Sequence, residues 1–288
     1  VVGNQLFFVA TTVDGERELH VSDGTTSGTR LVADIGSESS SSPTELMEFN
    51  NQLYFVATDE NDQTELWKSD GTNVGTAIVL DLYDTYSSMP RELTAFEDSL
   101  FFVATMPDGQ SELHVSNGTQ GNAGLFSDLH GTIDSIPMEL TVAGEFLFFS
   151  AIGNDQEREI YATQNHPSTA GRLKDIAGPV SSSPHNLTAV GDYLFFSASL
   201  ATGEVELFKS DGTNAGTELI RNLSGSPDPR EITAFEFHIE VDDRPFNFPD
   251  TLSPFVNLEP VRADRKDDHH PRFTIIDAAF DETELWKE

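Results

Sequence analysis

Carboxylates are the groups in this chain best able to do chemistry, and they recur at fixed spacing. Glu45, Glu92 and Glu139 are 47 residues apart, each two places after a proline, and Glu231 follows Pro229 in the same way. Hard oxygen ligands gathered in a ring can hold Ca²⁺, so these four are the candidate metal ligands. The competing reading is a water-filled channel lined by solvated glutamates. Asn186 stands at the same place and interrupts the set. A second set, Asp23, Asp70 and Asp211, opens each Asp-Gly-Thr stretch. Such an aspartate either contacts calcium or a glycan, or accepts from backbone amides two residues on and closes a turn. A third set, Glu18, Glu65, Glu112, Glu159, Glu206 and Glu284, recurs in every repeat. Catalysis needs one site rather than six, so this glutamate is expected to bond a neighbouring unit. Two places beyond it stand His20, Trp67, His114, Tyr161, Phe208 and Trp286, expected to pack between units. The last cluster is Asp264, Asp267, Asp268, His269 and His270. Oxygen and imidazole together suit a transition metal. The same loop suits a partner contact, which makes Asp267, Asp268, His269 and His270 the candidate partner-binding residues. No nucleophile elbow, phosphate-binding glycine loop or His-Glu-x-x-His motif is present. No catalytic residue is expected, and Ca²⁺ is the one cofactor considered.

What must position these residues is a stack of short strands. Glu65-Leu66-Trp67-Lys68-Ser69-Asp70-Gly71-Thr72 has clean counterparts at Glu18–Thr25 and Glu206–Thr213, a close one at Glu112–Thr119, and a worn one from Glu159. Self-similarity at this period means stacked supersecondary units. Within one unit, Pro90–Phe96, Leu100–Thr105, Glu112–Ser116 and Leu125–Leu129 are short runs bounded by Gly, Asn, Asp or Pro. Runs of this length with aromatic and β-branched residues are strands. Four per repeat read as a propeller blade. The apolar run Leu100–Ala104 must be buried on both faces, which one blade cannot do and a ring of blades can. The expected fold is an all-β propeller of four-stranded blades. Six blades are expected, with five, seven and eight as alternatives; Pro229–Phe235 supplying the first blade's missing strand would close a ring of five. Residues 1–235 hold five repeats, 236–271 have no repeat equivalent and read as an insertion, and 272–288 resume a sixth repeat.

Composition bounds the rest. The 288 residues include 49 Asp and Glu against 16 Lys and Arg, a net charge of -33. Such a surface repels nucleic acid and anionic lipid. No apolar run is long enough to span a bilayer, so direct membrane insertion is not expected. With no cysteine, disulfides, thiol catalysis and cysteine metal sites are excluded. The chain opens and stops inside repeats, so it is expected to be part of a longer protein. Asn117, Asn186 and Asn222 each open a glycosylation-type triplet.

The stretch Glu65–Thr76, matched at Glu206–Thr217 and Glu18–Thr29, resembles the ELWxxDGTxxGT repeat of large bacterial surface and secreted proteins. The turn also resembles, in part, the Asp-box of sialidase-type propellers, where it is structural. The first resemblance implies an extracellular or cell-surface propeller module and carries over no catalytic residue. Asn117, and Gln164-Asn165-His166 in place of Asp-Gly-Thr, depart from the pattern. The function expected is a non-enzymatic scaffold for assembly or adhesion that contacts other protein subunits or surface components. The alternatives are a glycan-binding propeller and a carbohydrate-active enzyme with its site at the channel mouth.

Overall fold

The computed structural model describes residues 1–37, 39–83, 86–131, 133–222, 228–230, 232, 235–237, 259–260 and 273–275. The first sheet is β1 (Leu6–Thr11), β2 (Arg17–Ser22) and β3 (Arg30–Leu31). The second is β4 (Thr44–Phe49), β5 (Gln52–Thr58), β6 (Thr64–Ser69) and β7 (Ala77–Leu80). The third is β8 (Arg91–Phe96), β9 (Ser99–Thr105), β10 (Ser111–Ser116) and β11 (Ala123–Ser127). The fourth is β12 (Met138–Ala143), β13 (Phe146–Ile152), β14 (Arg158–Thr163) and β15 (Gly171–Lys174). The fifth is β16 (His185–Val190), β17 (Tyr193–Ser199), β18 (Val205–Ser210) and β19 (Glu218–Arg221). A short sheet of β20 (Phe235–Phe237), β21 (Glu259–Pro260) and β22 (Phe273–Ile275) has β22 in its middle. Four sheets thus have four strands and two have three, and the five sheets from β1 to β19 are simple antiparallel meanders. The first strands of successive sheets lie side by side, β4 by β8, β8 by β12 and β12 by β16. This is a propeller-like all-β fold. Apart from these short strands, the expected insertion at 236–271 and resumed repeat at 272–288 lie outside the described residues.

Period-2 alternation explains the continuous apolar runs. In β9, Phe101 and Val103 point one way and pack with Leu147, Phe149 and Tyr161 of the fourth sheet. Leu100, Phe102 and Ala104 point the other way and pack with Tyr54, Val56 and Leu66 of the second. The core is therefore the set of layers between sheets. Each buried Phe contributes about 1.5–3 kcal/mol by its removal from water.

Two irregularities recur and serve the packing. The first strand of each four-stranded sheet slips register against the second between Thr44 and Met47, Arg91 and Thr94, Met138 and Thr141, and His185 and Thr188. Inside each slip sits a residue in the left-handed region: Glu45 (φ 55°), Glu92 (φ 60°), Glu139 (φ 57°) and Asn186 (φ 56°). That conformation costs a glutamate energy, and it aims the side chain at the next sheet. The third and fourth strands slip at the bulky position, as between Leu113 and His114 and between Ile160 and Tyr161.

The Asp-Gly-Thr turns are held from within. Asp70 Oδ1 accepts from Thr72 N at 2.8 Å and Thr72 Oγ1 at 2.7 Å, and Asp23 and Asp211 do the same with Thr25 and Thr213. These bonds hold all three carboxyls below the usual aspartate range. Asn117 makes the same pair of bonds to Thr119 in the third sheet. In the fourth, where the motif is lost, a 3-10 turn at Pro167–Thr169 takes its place. The second glycine of the motif is explained by contact: a Cβ on Gly75 would sit 2.0 Å from Asp70 Oδ1. Gly75→Ala must displace that carboxylate, and a loss of about 1–3 kcal/mol is expected in urea unfolding. An unchanged midpoint would show that the turn does not need its aspartate bonds.

Candidate functional site

The structure distributes the candidate ligands differently from a ring around one ion. Glu45 accepts from Leu93 N at 3.3 Å, Glu92 from Leu140 N at 3.3 Å and Glu139 from Leu187 N at 2.8 Å. Each carboxylate thus ties its own first strand to the first strand of the next sheet. The three do not gather at one point: among the described residues, the group of three or more acidic or histidine side chains whose ligand atoms all lie within 4.8 Å of one another is Glu157, Glu159 and Asp175, and it includes none of them. Glu231, Asp264, Asp267, Asp268, His269 and His270 lie outside the described residues.

The third-strand glutamate does bond a neighbouring unit. Glu18, Glu65, Glu112 and Glu159 are each at most 1% exposed. One oxygen of each accepts from the backbone N–H, and the other from the hydroxyl, of Ser41, Ser88, Ser135 and Ser182 respectively. Those serines lie in the loops that lead into the next sheets. Burial pushes the Glu65 carboxyl up to about 7, against the pull of the Ser88 bonds, and pushes Glu112 and Glu159 up as well. A raised carboxyl pKa means that the folded chain holds more protons than the unfolded one. Stability contributed in this way is present below the unfolded value, near 4.5, and is lost as pH rises towards about 7. The lowered turn aspartates act oppositely, and their contribution is lost as pH falls below the usual carboxylate range. The urea midpoint is therefore expected to be highest near pH 5 and to fall towards pH 8. Glu65→Gln should flatten part of that fall, and an identical slope in the variant would refute the assignment.

One groove departs from the repeat. Between the third and fourth sheets lies a cavity of about 190 Å³ lined by Leu129, His130, Gly153, Asp155, Tyr161 and Arg172 among others. Tyr161 comes from β14, Arg172 from β15 and Asp155 from the β13–β14 turn. His130 comes from the loop that follows β11. His130 Nε2 is 3.1 Å from the Tyr161 hydroxyl, while His130 Nδ1 is closed off from solvent and has no hydrogen-bond partner. Burial pushes His130 down and Tyr161 up to about 12, so both are neutral at neutral pH. Tyr161 stacks on Phe149 at 5.8 Å. Arg172 Nη1 lies 2.6 Å from Asp155 Oδ2 and 3.9 Å from Glu157 Oε2. Burial raises Asp155, but the Arg172 bond outweighs it and holds the carboxyl low. Burial, then the Asp155 charge, raises Glu157. A Cβ on Gly153 would sit 2.9 Å from the Tyr161 hydroxyl and from Asp155 Oδ1, so the turn needs glycine to close over the tyrosine.

Comparison of the repeats would have found this groove. Forty-seven residues earlier, Tyr83 and His114 form the same pair with its members exchanged, Tyr83 Oη to His114 Nε2 at 3.1 Å. Arg172 stands where the other units have Leu31, Ile78, Leu125 and Leu219, and Glu157 stands where the third has Gln110. A charge in an otherwise apolar column is the signal that a search by motif passes over.

No family model and no curated protein matches the chain. Solved structures do. Prolyl oligopeptidase B from Galerina marginata aligns with 82% of this chain and 35% of its own at 12% identity and a TM-score of 0.50. A puromycin hydrolase aligns with 80% of this chain and 38% of its own at 14% identity and a TM-score of 0.48. A puromycin-hydrolyzing peptidase of Mycobacterium tuberculosis aligns with 82% and 47% at 12% identity and a TM-score of 0.41. The chain thus spans from about a third to half the length of these proteins. The likeness is one of fold and transfers no residue. It corrects the expectation of a non-enzymatic assembly or adhesion scaffold: the solved structure that shares the fold at a TM-score of 0.50 is that of an oligopeptidase, prolyl oligopeptidase B, and a scaffold finds no support there.

Proposed function

We propose that the chain is the propeller unit of a larger, enzyme-related protein, and that its groove between the third and fourth sheets holds a small polar ligand. Reacting groups are then supplied from elsewhere in that protein. The observation that carries this reading is Arg172, a cation in an apolar column, ion-paired to Asp155 at 2.6 Å on the wall of a cavity. Beside it stand a neutral His130–Tyr161 pair and a buried imidazole nitrogen without a partner. Cavities with a few convergent polar groups are the usual ligand sites of proteins. The enzyme-related setting draws on the fold shared with prolyl oligopeptidase B. Within this reading the sheets are blades of a six-bladed ring, β20, β21 and β22 belonging to the sixth. The repeat is of the ELWxxDGTxxGT kind, in a secreted or surface-exposed protein.

The double variant Arg172→Leu/Glu157→Gln tests the groove, because it writes the third sheet's Leu125 and Gln110 into the fourth. Titration of the isotope-labelled chain with small polar fragments is expected to shift the Gly153 and Gly171 amides. The double variant should lose those shifts while its unfolding midpoint stays close to that of the parent. Shifts scattered over all sheets, or retained in the double variant, would sink the groove as a site.

A further inference from the structure

We infer that Asn117 is the acceptor of an N-linked glycan. Three acceptor triplets stand in the chain, opened by Asn117, Asn186 and Asn222, and the structure separates them. Asn117 is at the tip of the turn between β10 and β11, and it is exposed together with Thr119, Gln120, Gly121 and Asn122. Its Oδ1 accepts from Thr119 N at 2.9 Å and from Thr119 Oγ1 at 2.7 Å. The backbone donor fixes which end of the carboxamide is oxygen. Nδ2 is therefore turned away from Thr119, and among the described residues no hydrogen bond engages it. Asn186 is the opposite case. It is half-buried inside a register slip, with φ 56°, and its Nδ2 donates to Pro229 O at 3.2 Å. The hydroxyl of its triplet, Thr188 Oγ1, lies 3.2 Å from Asn186 O and 3.3 Å from Ile232 O. Both groups that a transferase must reach are thus engaged. The triplet of Asn222 lies partly outside the described residues.

The third turn is shaped to leave this side chain open. In the Asp-Gly-Thr turns of the first, second and fifth sheets the carboxylate lies against the second glycine. A Cβ on Gly28, Gly75 or Gly216 would collide with both oxygens of Asp23, Asp70 or Asp211. Asn122 stands 47 residues after Gly75, and its own Cβ excludes that packing. The glycine of the third turn comes one residue earlier, at Gly121, where a Cβ would meet nothing within 4 Å. Asparagine costs the turn nothing. Its bonds of 2.9 and 2.7 Å match the 2.8 and 2.7 Å of Asp70, because the turn uses one side-chain oxygen only. What changes is the other atom: a carboxylate oxygen becomes an amide nitrogen that can carry a sugar. The two bonds to Oδ1 draw electron density from the amide and ease the loss of an Nδ2 proton. In the transfer, Nδ2 bonds the anomeric carbon of a nucleotide- or lipid-linked sugar diphosphate. The carbon–oxygen bond to the diphosphate breaks, the diphosphate leaves with the electron pair, and the Nδ2 proton passes to a base of the transferase.

Incubation of the folded chain with a soluble asparagine glucosyltransferase and UDP-glucose tests the inference, with synthetic peptides spanning the Asn117 and Asn186 triplets as references. Peptide mass mapping is expected to find one hexose on Asn117, added at a rate within about tenfold of that of its peptide. Asn186 should react only through local opening, and so more than about tenfold slower than its own peptide. Asn117→Asp should take no hexose there and keep the urea midpoint of the parent, since Asp70 makes the same two bonds. The protein purified from its own cells should carry its glycan at Asn117. A folded chain that reacts at Asn186 as fast as the peptide, or stays bare at Asn117, would overturn the inference. An unreactive Asn117 peptide, or a bare Asn117 in the protein from its own cells, would overturn it as well.

Discussion

Phe149→Ala is expected to lower the stability of the chain by about 3–5 kcal/mol, the range for truncating a fully buried phenylalanine. Phe149 is 0% exposed and stands at the centre of β13. It packs with Phe101 and Val103 of the third sheet and with Tyr161 of its own, so its loss opens a void in the layer that joins two sheets. Each sheet can hide its apolar face only against its neighbours, and such arrays draw much of their stability from the contacts between units. The loss should therefore register in the urea midpoint of the whole array. Phe149→Leu should cost clearly less, about 1–2 kcal/mol, because most of the volume remains. Val13→Ala is the control, since Val13 is fully exposed and should change nothing beyond about 0.5 kcal/mol. The effect also reaches the groove. Phe149 supports the ring of Tyr161, whose hydroxyl meets His130 at 3.1 Å. Ligand binding at the groove should weaken in the alanine variant under conditions where it is still folded. A midpoint indistinguishable from that of Val13→Ala would refute the inter-sheet core.

The strands were legible because their signals are local. A run such as Leu100–Ala104 between two turns needs no knowledge of its partners to be read as a buried strand, and the 47-residue spacing of Glu18, Glu65, Glu112 and Glu159 identifies the stacked unit. The bond from this glutamate to a neighbouring unit was also legible, because a residue present in every repeat serves the repeat. Its serine partner was harder to see. Ser41, Ser88, Ser135 and Ser182 each lie 23 residues further on, inside serine-rich loops where any hydroxyl could have been chosen. The role of Glu45, Glu92 and Glu139 was hidden for a different reason. Their direction is set by a left-handed backbone inside a register slip, and neither strand propensity nor alternation reports that. Alternation alone places them on a channel wall; the slip aims them at the adjacent strand. The groove escaped because its members, from Leu129 to Arg172, come from two sheets and share no motif. What marks it is a difference between repeats, whereas the fold is marked by their similarity.

Glu112→Ala should destabilise the chain by about 3 kcal/mol, since removing one partner of a buried charged hydrogen bond leaves the others unsatisfied. Glu112 and Ser135 are both 0% exposed. Ser135 N donates to one carboxylate oxygen at 3.1 Å and Ser135 Oγ to the other at 2.5 Å. Alanine leaves the Ser135 amide facing a dry void and leaves the hydroxyl only its longer bond to Ser111 O at 3.4 Å, and the loop that carries Ser135 also supplies Ile136, whose amide is bonded to Ser111 O. That bond resists the movement that would bring Ser135 to water. Glu112→Gln keeps an acceptor for Ser135 N and fills the same volume, so its cost should be near 1 kcal/mol. It also removes a carboxyl that burial holds above its usual range, and should therefore lose less relative to the parent at pH 8 than at pH 5. The two substitutions separate two roles for the glutamate. If the pair of hydrogen bonds matters most, the alanine variant falls well below the glutamine variant at both pH values. If the clamp were instead a by-product of packing, the two variants would unfold at the same urea concentration. The position recurs in Glu18, Glu65 and Glu159 with the same serine geometry. The loss should therefore repeat at each of them, and at well-separated sheets the losses should add.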